Sequence, residues 1–194
     1  MKTIYLSKDI INISTVVKKD EYRAELRGIF FEKSGIATGT DGHTLISISD
    51  ERLKALDADV IIPADIFKEI KKTEEAFLIP EKNLIGIKKF DRNETVNTFL
   101  DGVDEKYFDR LLNYTPIDGK YPPYRDVLPS EPIVYSVGLG ISGLESLYNY
   151  VKKTGAIGIS LECQQNNRGA IKVQFQSMPT RPEHEALVMP IIID

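Results

Sequence analysis

The chain has 194 residues, 42% hydrophobic and 28% charged, with a formal net charge of −4. That length and apolar content support one or two packed domains and exclude an intrinsically disordered chain. The acidic balance excludes nucleic-acid binding by overall charge, leaving only a local basic face for such a contact, and the single cysteine, Cys163, excludes an intrachain disulfide.

The opening stretch, MKTIYLSKDIINIS, lacks the apolar core of a signal peptide, and no apolar run approaches ~18 residues. The expectation is a soluble, cytoplasmic protein with no membrane contact. Residues 3–20, TIYLSKDIINISTVVKKD, read as a short strand, a turn and an amphipathic helix. Its apolar face holds Ile10, Ile13 and Val17, with Lys8 and Lys19 on the far side. Two strand-like runs follow, LRGIFFEKSGIATGT and HTLISISD. Between them Asp41-Gly42 is a hairpin signal: Gly42 accepts φ > 0 and the strand is expected to resume at His43.

Residues 59–75, DVIIPADIFKEIKKTEE, repeat the layout. Pro63 suits the first helical turn, where a missing N–H costs nothing. Ile66, Phe67 and Ile70 form the inward face, opposite Lys68, Lys71 and Lys72. Strands are expected in AFLIPEKNLIGIKKF and ETVNTFLD. The next segment, 101–132, is rich in proline and tyrosine; its start, DEKYFDRLLN, reads as a short helix packing Phe108, Leu111 and Leu112, and the rest as an extended connector. Residues 132–153, PIVYSVGLGISGLESLYNYVKK, give the layout a third time. Leu144, Leu147, Tyr148 and Val151 form the apolar stripe, with Lys153 opposite. AIGISLECQQ, GAIKVQFQ and EALVMPIII follow as strands, with SMPTRPEHE as a turn-rich loop before the last. The whole is a β-α-β-β-β unit read three times, an α+β chain of antiparallel sheets with helices on one side. Residues 1–129 make a domain of two units and 130–194 a third unit alone.

The chemistry of enzymes is poorly represented. His43 and His184 are the only histidines, and no GxSxG, HExxH, paired CxxC or GxxxxGK[ST] pattern occurs. Asp41 and His43 supply two metal ligands without a third nearby, and a hydrolase built on them would need a water-excluding pocket. Cys163 reads as a packing residue. No catalytic residue, metal or cofactor is expected.

GTDGHTL, DVIIPADIFKEIKK, IDGKYPPYRDVLP and ALVMPIIID, taken in this order, carry a resemblance. The chain resembles the bacterial sliding clamp, the β subunit of the replicative DNA polymerase III. That family has a TDGHRL turn in its middle domain, a VDGRFPDYRRVLP connector ending that domain and a VMPMRL-like strand at the chain end. The likeness covers residues 22–132 and about 180–194 by motif, and the stretch between by pattern. It implies the DNA-clamp fold: domains of two β-α-β-β-β units, assembled in a ring whose helices line a hole for duplex DNA. Lys8, Lys19, Lys68, Lys71, Lys72 and Lys153 would then face DNA phosphates, without sequence specificity.

The resemblance also implies a cleft that receives short peptide motifs of polymerases, the clamp loader and repair proteins. Its lining here would be Thr40, Gly42, His43, Leu45, Pro129, Leu187, Met189, Pro190 and Ile191, an apolar slot with Met189 as an adaptable wall. This chain departs from the family in Thr44, where the family has arginine, and in a terminal IIID in place of MRL. Gly140 and Gly143 stand where the family puts asparagine and tyrosine on the cleft wall. The resemblance begins at the family's middle domain, and one unit stands for the two of its last domain. Two readings follow: a homo-oligomer, in which four copies supply the twelve units of a six-domain ring around DNA, or a monomeric peptide-binding module that competes for or assists clamp partners without a ring.

Overall fold

The computed structural model describes residues 2–17, 22–89, 103–127, 138–154, 158–162, 171–176, 185–188 and 190–191. They divide into two compact units, 1–127 and 128–194, each described by itself.

The first unit contains two copies of the repeat. The first copy is β1 (Ile4–Leu6), α1 (Lys8–Asn12), β2 (Gly28–Glu32), β3 (Ile36–Thr40) and β4 (Leu45–Ser49). The second is β5 (Val60–Pro63), α2 (Ala64–Lys68), β6 (Glu74–Ile79), β7 (Leu84–Lys89) and β8 (Arg110–Asn113). The copies do not fold side by side. The two four-stranded antiparallel sheets run β4-β3-β2-β5 and β1-β6-β7-β8, so each copy lends its leading strand to the other's sheet. This exchange ties the two copies into one body.

The helices are short and held by burial. Ser7 caps α1 by accepting a hydrogen bond from the Ile10 amide at 3.4 Å, and the helix tightens into a 3-10 turn at Ile13–Thr15. Ile10, Ile13 and Val17 are buried, as the spacing requires, together with Ile66 and Phe67 of α2; Ile70 packs on the same core. Pro63 differs from expectation. It ends β5 in an extended conformation (ψ 127°) as the residue before the helix, because its carbonyl side still belongs to the ladder with Gly28. α1 and α2 pack against each other and over β2, where Phe31 meets Phe67 at 5.9 Å.

Strand alternation decides which residues reach this core. Ile29 and Phe31 of β2 point into it, while Phe30 turns to the opposite face and stacks on Tyr121 at 4.8 Å. In β6, Ala76 and Leu78 point in, and Phe77 and Ile79 join Phe108 on the other side. Gly39 is required where it is: a Cβ would lie 2.3 Å from Ile13 Cγ2, so the first helix rests directly on the β3 backbone.

The expected helix at 104–113 is a 3-10 turn (Glu105–Tyr107) followed by β8. Phe108 is buried as foreseen, but Leu111 and Leu112 pack on opposite faces, Leu111 beside Phe77 and Leu112 in the main core. That is strand geometry. The alternative strand ETVNTFLD lies outside the described residues.

Three carboxylates bind this unit through polar contacts. Burial alone would raise Glu32 and Glu74; hydrogen bonds reverse it, from Tyr124 and Arg125 to Glu32 and from the Lys71 amide and Arg110 to Glu74. Asp50 is lowered chiefly by its hydrogen bond from Arg52. All three therefore sit below their ordinary values of 4.5 and 3.8 when folded. The unfolded chain takes up protons first, so their contribution is complete above those values and lost as pH falls through the depressed folded ones. Urea midpoints of this unit should hold steady from about pH 7 to pH 5 and drop steeply toward about pH 3. A flat midpoint across that range contradicts the assignment.

The second unit holds one copy: β9 (Gly138–Leu139), α3 (Ile141–Thr154), β10 (Gly158–Glu162), β11 (Ile171–Gln176), β12 (Glu185–Val188) and β13 (Pro190–Ile191). β10-β11-β12 form an antiparallel meander, and β13 returns to pair with β9, Pro190 opposite Leu139. Leu147 and Val173 are buried against each other, with Leu139 packed on them. The expected apolar stripe of α3 is only partly used. Leu147 is buried, whereas Leu144 and Tyr148 are exposed, because a single sheet face covers one edge of the stripe. Cys163 and His184 lie outside the described residues.

Candidate functional site

The hairpin at residues 40–45 is built by its own side chains. Thr40 pairs with Leu45 at the end of the β3–β4 ladder, and the loop between is Asp41–Thr44. Asp41 Oδ1 accepts from the amides of His43 (3.0 Å) and Thr44 (2.7 Å). Thr40 Oγ1 donates to the Thr44 carbonyl at 2.7 Å and accepts from the Gly42 amide at 3.0 Å. Gly42 has φ 84°, the left-handed conformation the sequence calls for. The strand resumes at Leu45 and not at His43, because the Asp41 carboxylate holds the amides of 43 and 44 out of the ladder. Asp41 is thus a turn-builder, and His43 projects exposed at the tip. No hydrolytic pair is formed.

Leu45, half-buried, joins a second apolar cluster with Leu26, Phe30, Ile61, Ile117, Tyr121 and Tyr124. This cluster brings the hairpin together with the connector, two motifs some eighty residues apart. The connector is fastened by Glu32, whose buried carboxylate accepts from Tyr124 Oη at 2.5 Å, Arg125 at 2.7 Å and Ser34 Oγ at 3.1 Å. Arg125 also lies over the Tyr124 ring, 4.8 Å from its centroid. Burial raises the Tyr121 hydroxyl to about 12, keeping it neutral at the base of the cluster. Beside it a cavity of about 460 Å³ opens between β2, β5 and residues 116–121. Sequence reasoning passed over Glu32, Tyr121 and Tyr124. The two tyrosines stand in the YPPY run that was quoted only as connector, whereas nothing local marks Glu32.

The remaining groove candidates belong to the second unit. Leu187 lies in β12, and Pro190 and Ile191 form β13, which pairs with Gly138–Leu139 directly before Gly140. Pro129 and Met189 lie outside the described residues. Each half of the expected groove is therefore assembled within its own unit.

The candidate DNA-facing lysines are uneven. Lys71 and Lys72 are exposed. Lys68 is paired with Asp65 at 2.9 Å, and Lys8 donates to the Glu74 carbonyl. Lys153 falls in the last turn of α3, and Lys19 lies outside the described residues. Among the described residues no cluster of three metal-ligating side chains occurs, and no helix is long and apolar enough to cross a membrane.

Paired β-α-β-β-β units with exchanged leading strands define a sliding-clamp type of α+β fold. The chain has the fold of the bacterial DNA polymerase III β sliding clamps, in shortened form. The clamp structure from Streptococcus pneumoniae superposes with a TM-score of 0.63 at 17% identity, covering 98% of this chain and 49% of that one. Those from Pseudomonas aeruginosa (TM-score 0.61, 19% identity, 98% and 51% covered) and Bacillus subtilis (0.64, 15%, 97% and 49%) agree. The chain thus spans about half the length of the solved clamps. No protein-family model matches the sequence, and no curated protein matches it.

Proposed function

We propose that this chain is a non-enzymatic, clamp-like protein of DNA replication that binds short leucine- or phenylalanine-bearing peptide motifs of polymerase or loader partners. The observation that carries the reading is the cluster around Leu45. A hairpin stiffened by Asp41 and Thr40 and a connector pinned by Glu32 jointly present half-buried apolar surface beside an exposed histidine. In this reading Thr40, Gly42, His43 and Leu45 form one wall of the groove, with Pro129. Leu187, Met189, Pro190 and Ile191 form the other.

Two buried anchor side chains contribute about 3–6 kcal/mol before ordering costs, and a few backbone hydrogen bonds bring the total to the roughly 8 kcal/mol of micromolar binding. A fluorescein-labelled clamp-motif peptide should bind with a Kd in the micromolar range. Leu45→Asp should weaken it about thirtyfold, the effect of losing a hot-spot contact. Failure of the unmodified chain to bind at about 100 μM would remove the proposal.

Encirclement of duplex DNA by an oligomer is the fuller form of this function. It predicts a log K against log[salt] slope of about −0.9 per phosphate contacted, reduced when Lys71 and Lys72 are replaced. The engagement of Lys8 by Glu74 and of Lys68 by Asp65 favours the second reading, a peptide-binding accessory module that does not need DNA.

A further inference from the structure

In the first unit two repeats complete each other in two ways. α1 lies against α2, and each leading strand pairs with the first meander strand of the other repeat, β5 on β2 and β1 on β6. The second unit has one repeat. Among its described residues the meander β10-β11-β12 has three strands where each sheet of the first unit has four, and the β10 edge carries no leading strand. Its helix exposes what the other two bury: Ile141 is 82% and Leu144 40% exposed, against 0% for Ile10 and 1% for Phe67. Leu161, on β10, is also 40% exposed.

We propose that two copies of this chain pair through their second units about a twofold axis. α3 lies antiparallel to α3 of the partner, and β9 of each copy lies along β10 of the other. The first unit supplies the template, since it shows this repeat satisfying the same helix face and the same strand edge with a second repeat. β9 can take part while keeping β13, because that strand occupies only one of its edges.

Charge selects the direction. α3 carries Glu145 near its start and Lys152 and Lys153 in its last turn. An antiparallel pair sets the acidic start of each helix beside the basic end of the other and opposes their dipoles, whereas a parallel pair would stack like charges. Glu145 and Lys152 are two turns apart on the side of the stripe, so each Glu145 falls beside the partner subunit's Lys152. Area makes the strand exchange necessary. A helix of 14 residues is about 21 Å long, and one such helix pair falls short of the ~800 Å² per partner of a stable interface. The added strand on each side supplies the remainder with backbone hydrogen bonds. This pairing is independent of peptide binding.

Sedimentation velocity of the full chain at micromolar concentration is expected to give twice the 21.9 kDa chain mass. Leu144→Asp is expected to give a monomer, with far-UV circular dichroism confirming that it is folded. Glu145→Lys and Lys152→Glu are each expected to shift the equilibrium toward monomer by roughly tenfold, and the double variant to restore the dimer, a pattern that general unfolding does not produce. A monomeric unmodified chain at about 100 μM overturns the proposal. So does a dimer indifferent to all these changes, and single charge variants that dissociate without rescue overturn the antiparallel arrangement. Peptide titration of the same samples separates the two ideas: a dimer that binds no peptide keeps the pairing and removes the groove.

Discussion

Replacing Phe67 by alanine is expected to lower the unfolding free energy of the first unit by about 3–5 kcal/mol, the range for a fully buried aromatic truncated in a packed core. Phe67 is 1% exposed and touches Phe31, itself 0% exposed, at 5.9 Å. The cost exceeds the lost burial because α2 has five residues, far below the ~12–15 at which an isolated helix becomes marginal. Its helical state depends on docking, and Ile66 is the only other large buried side chain within its bounds. α1 packs against α2, so losing the anchor loosens both helices. With a urea slope of about 1–3 kcal/mol per molar, the midpoint should fall by roughly 1–3 M at unchanged slope. Phe67→Leu, which keeps most of the volume, should cost under about 1.5 kcal/mol. A loss below about 1 kcal/mol for the alanine variant would show that α2 is held by something other than this side chain.

The repeat was legible in the sequence because each copy states the same physics locally. Ile10, Ile13 and Val17, then Ile66, Phe67 and Ile70, mark helical faces, and alternation in IATGT and LISIS marks strands. The exchange of leading strands was not legible, because TIYL and DVIIP look the same whether they pair within their own repeat or with the other. Only the register of Ile4 with Leu78 and of Ile29 with Ile62 settles it. Residues 110–113 misled for a related reason. Two adjacent leucines satisfy a helical stripe on paper, while in β8 they serve two different cores.

At the site, Gly42 announced the turn through its need for positive φ, and the motifs named Leu45. The delay of β4 to Leu45 was hidden in the Asp41 carboxylate, which competes for two amides the ladder would otherwise use. Glu32 was invisible for the opposite reason. It closes a strand with a charged residue, which reads as a solvent-facing end, and its partners arrive 92 and 93 residues later. In α3 the stripe was read correctly as apolar and wrongly as covered. Periodicity reports the character of a face, not what lies against it.

Glu32→Ala should have two effects that travel together. The first is a stability loss of about 2–3 kcal/mol, since the buried Tyr124 hydroxyl loses its 2.5 Å charged acceptor. Arg125 contributes less than its 2.7 Å contact suggests: its side chain is 53% exposed and can be rehydrated. A double-mutant cycle should therefore give a coupling of about 1–2 kcal/mol for Glu32 with Tyr124→Phe and under about 1 kcal/mol with Arg125→Ala. The folded Glu32 carboxyl is held below 4.5, so the variant should also lose part of the fall in stability on acidification while retaining the parts due to Asp50 and Glu74. The second effect is on binding. The Glu32–Tyr124 bond fixes the 3-10 turn Tyr124–Val127 against the sheet, and the chain continues from there to Pro129. Freed from Glu32, that turn must be ordered by the incoming peptide, which raises the cost of binding without removing any direct contact. Peptide affinity should fall severalfold at a temperature where the variant is still fully folded, and Tyr124→Phe should reproduce most of that fall. Unchanged affinity in both variants would mean that the connector's end takes no part in the groove, leaving the hairpin alone to carry it.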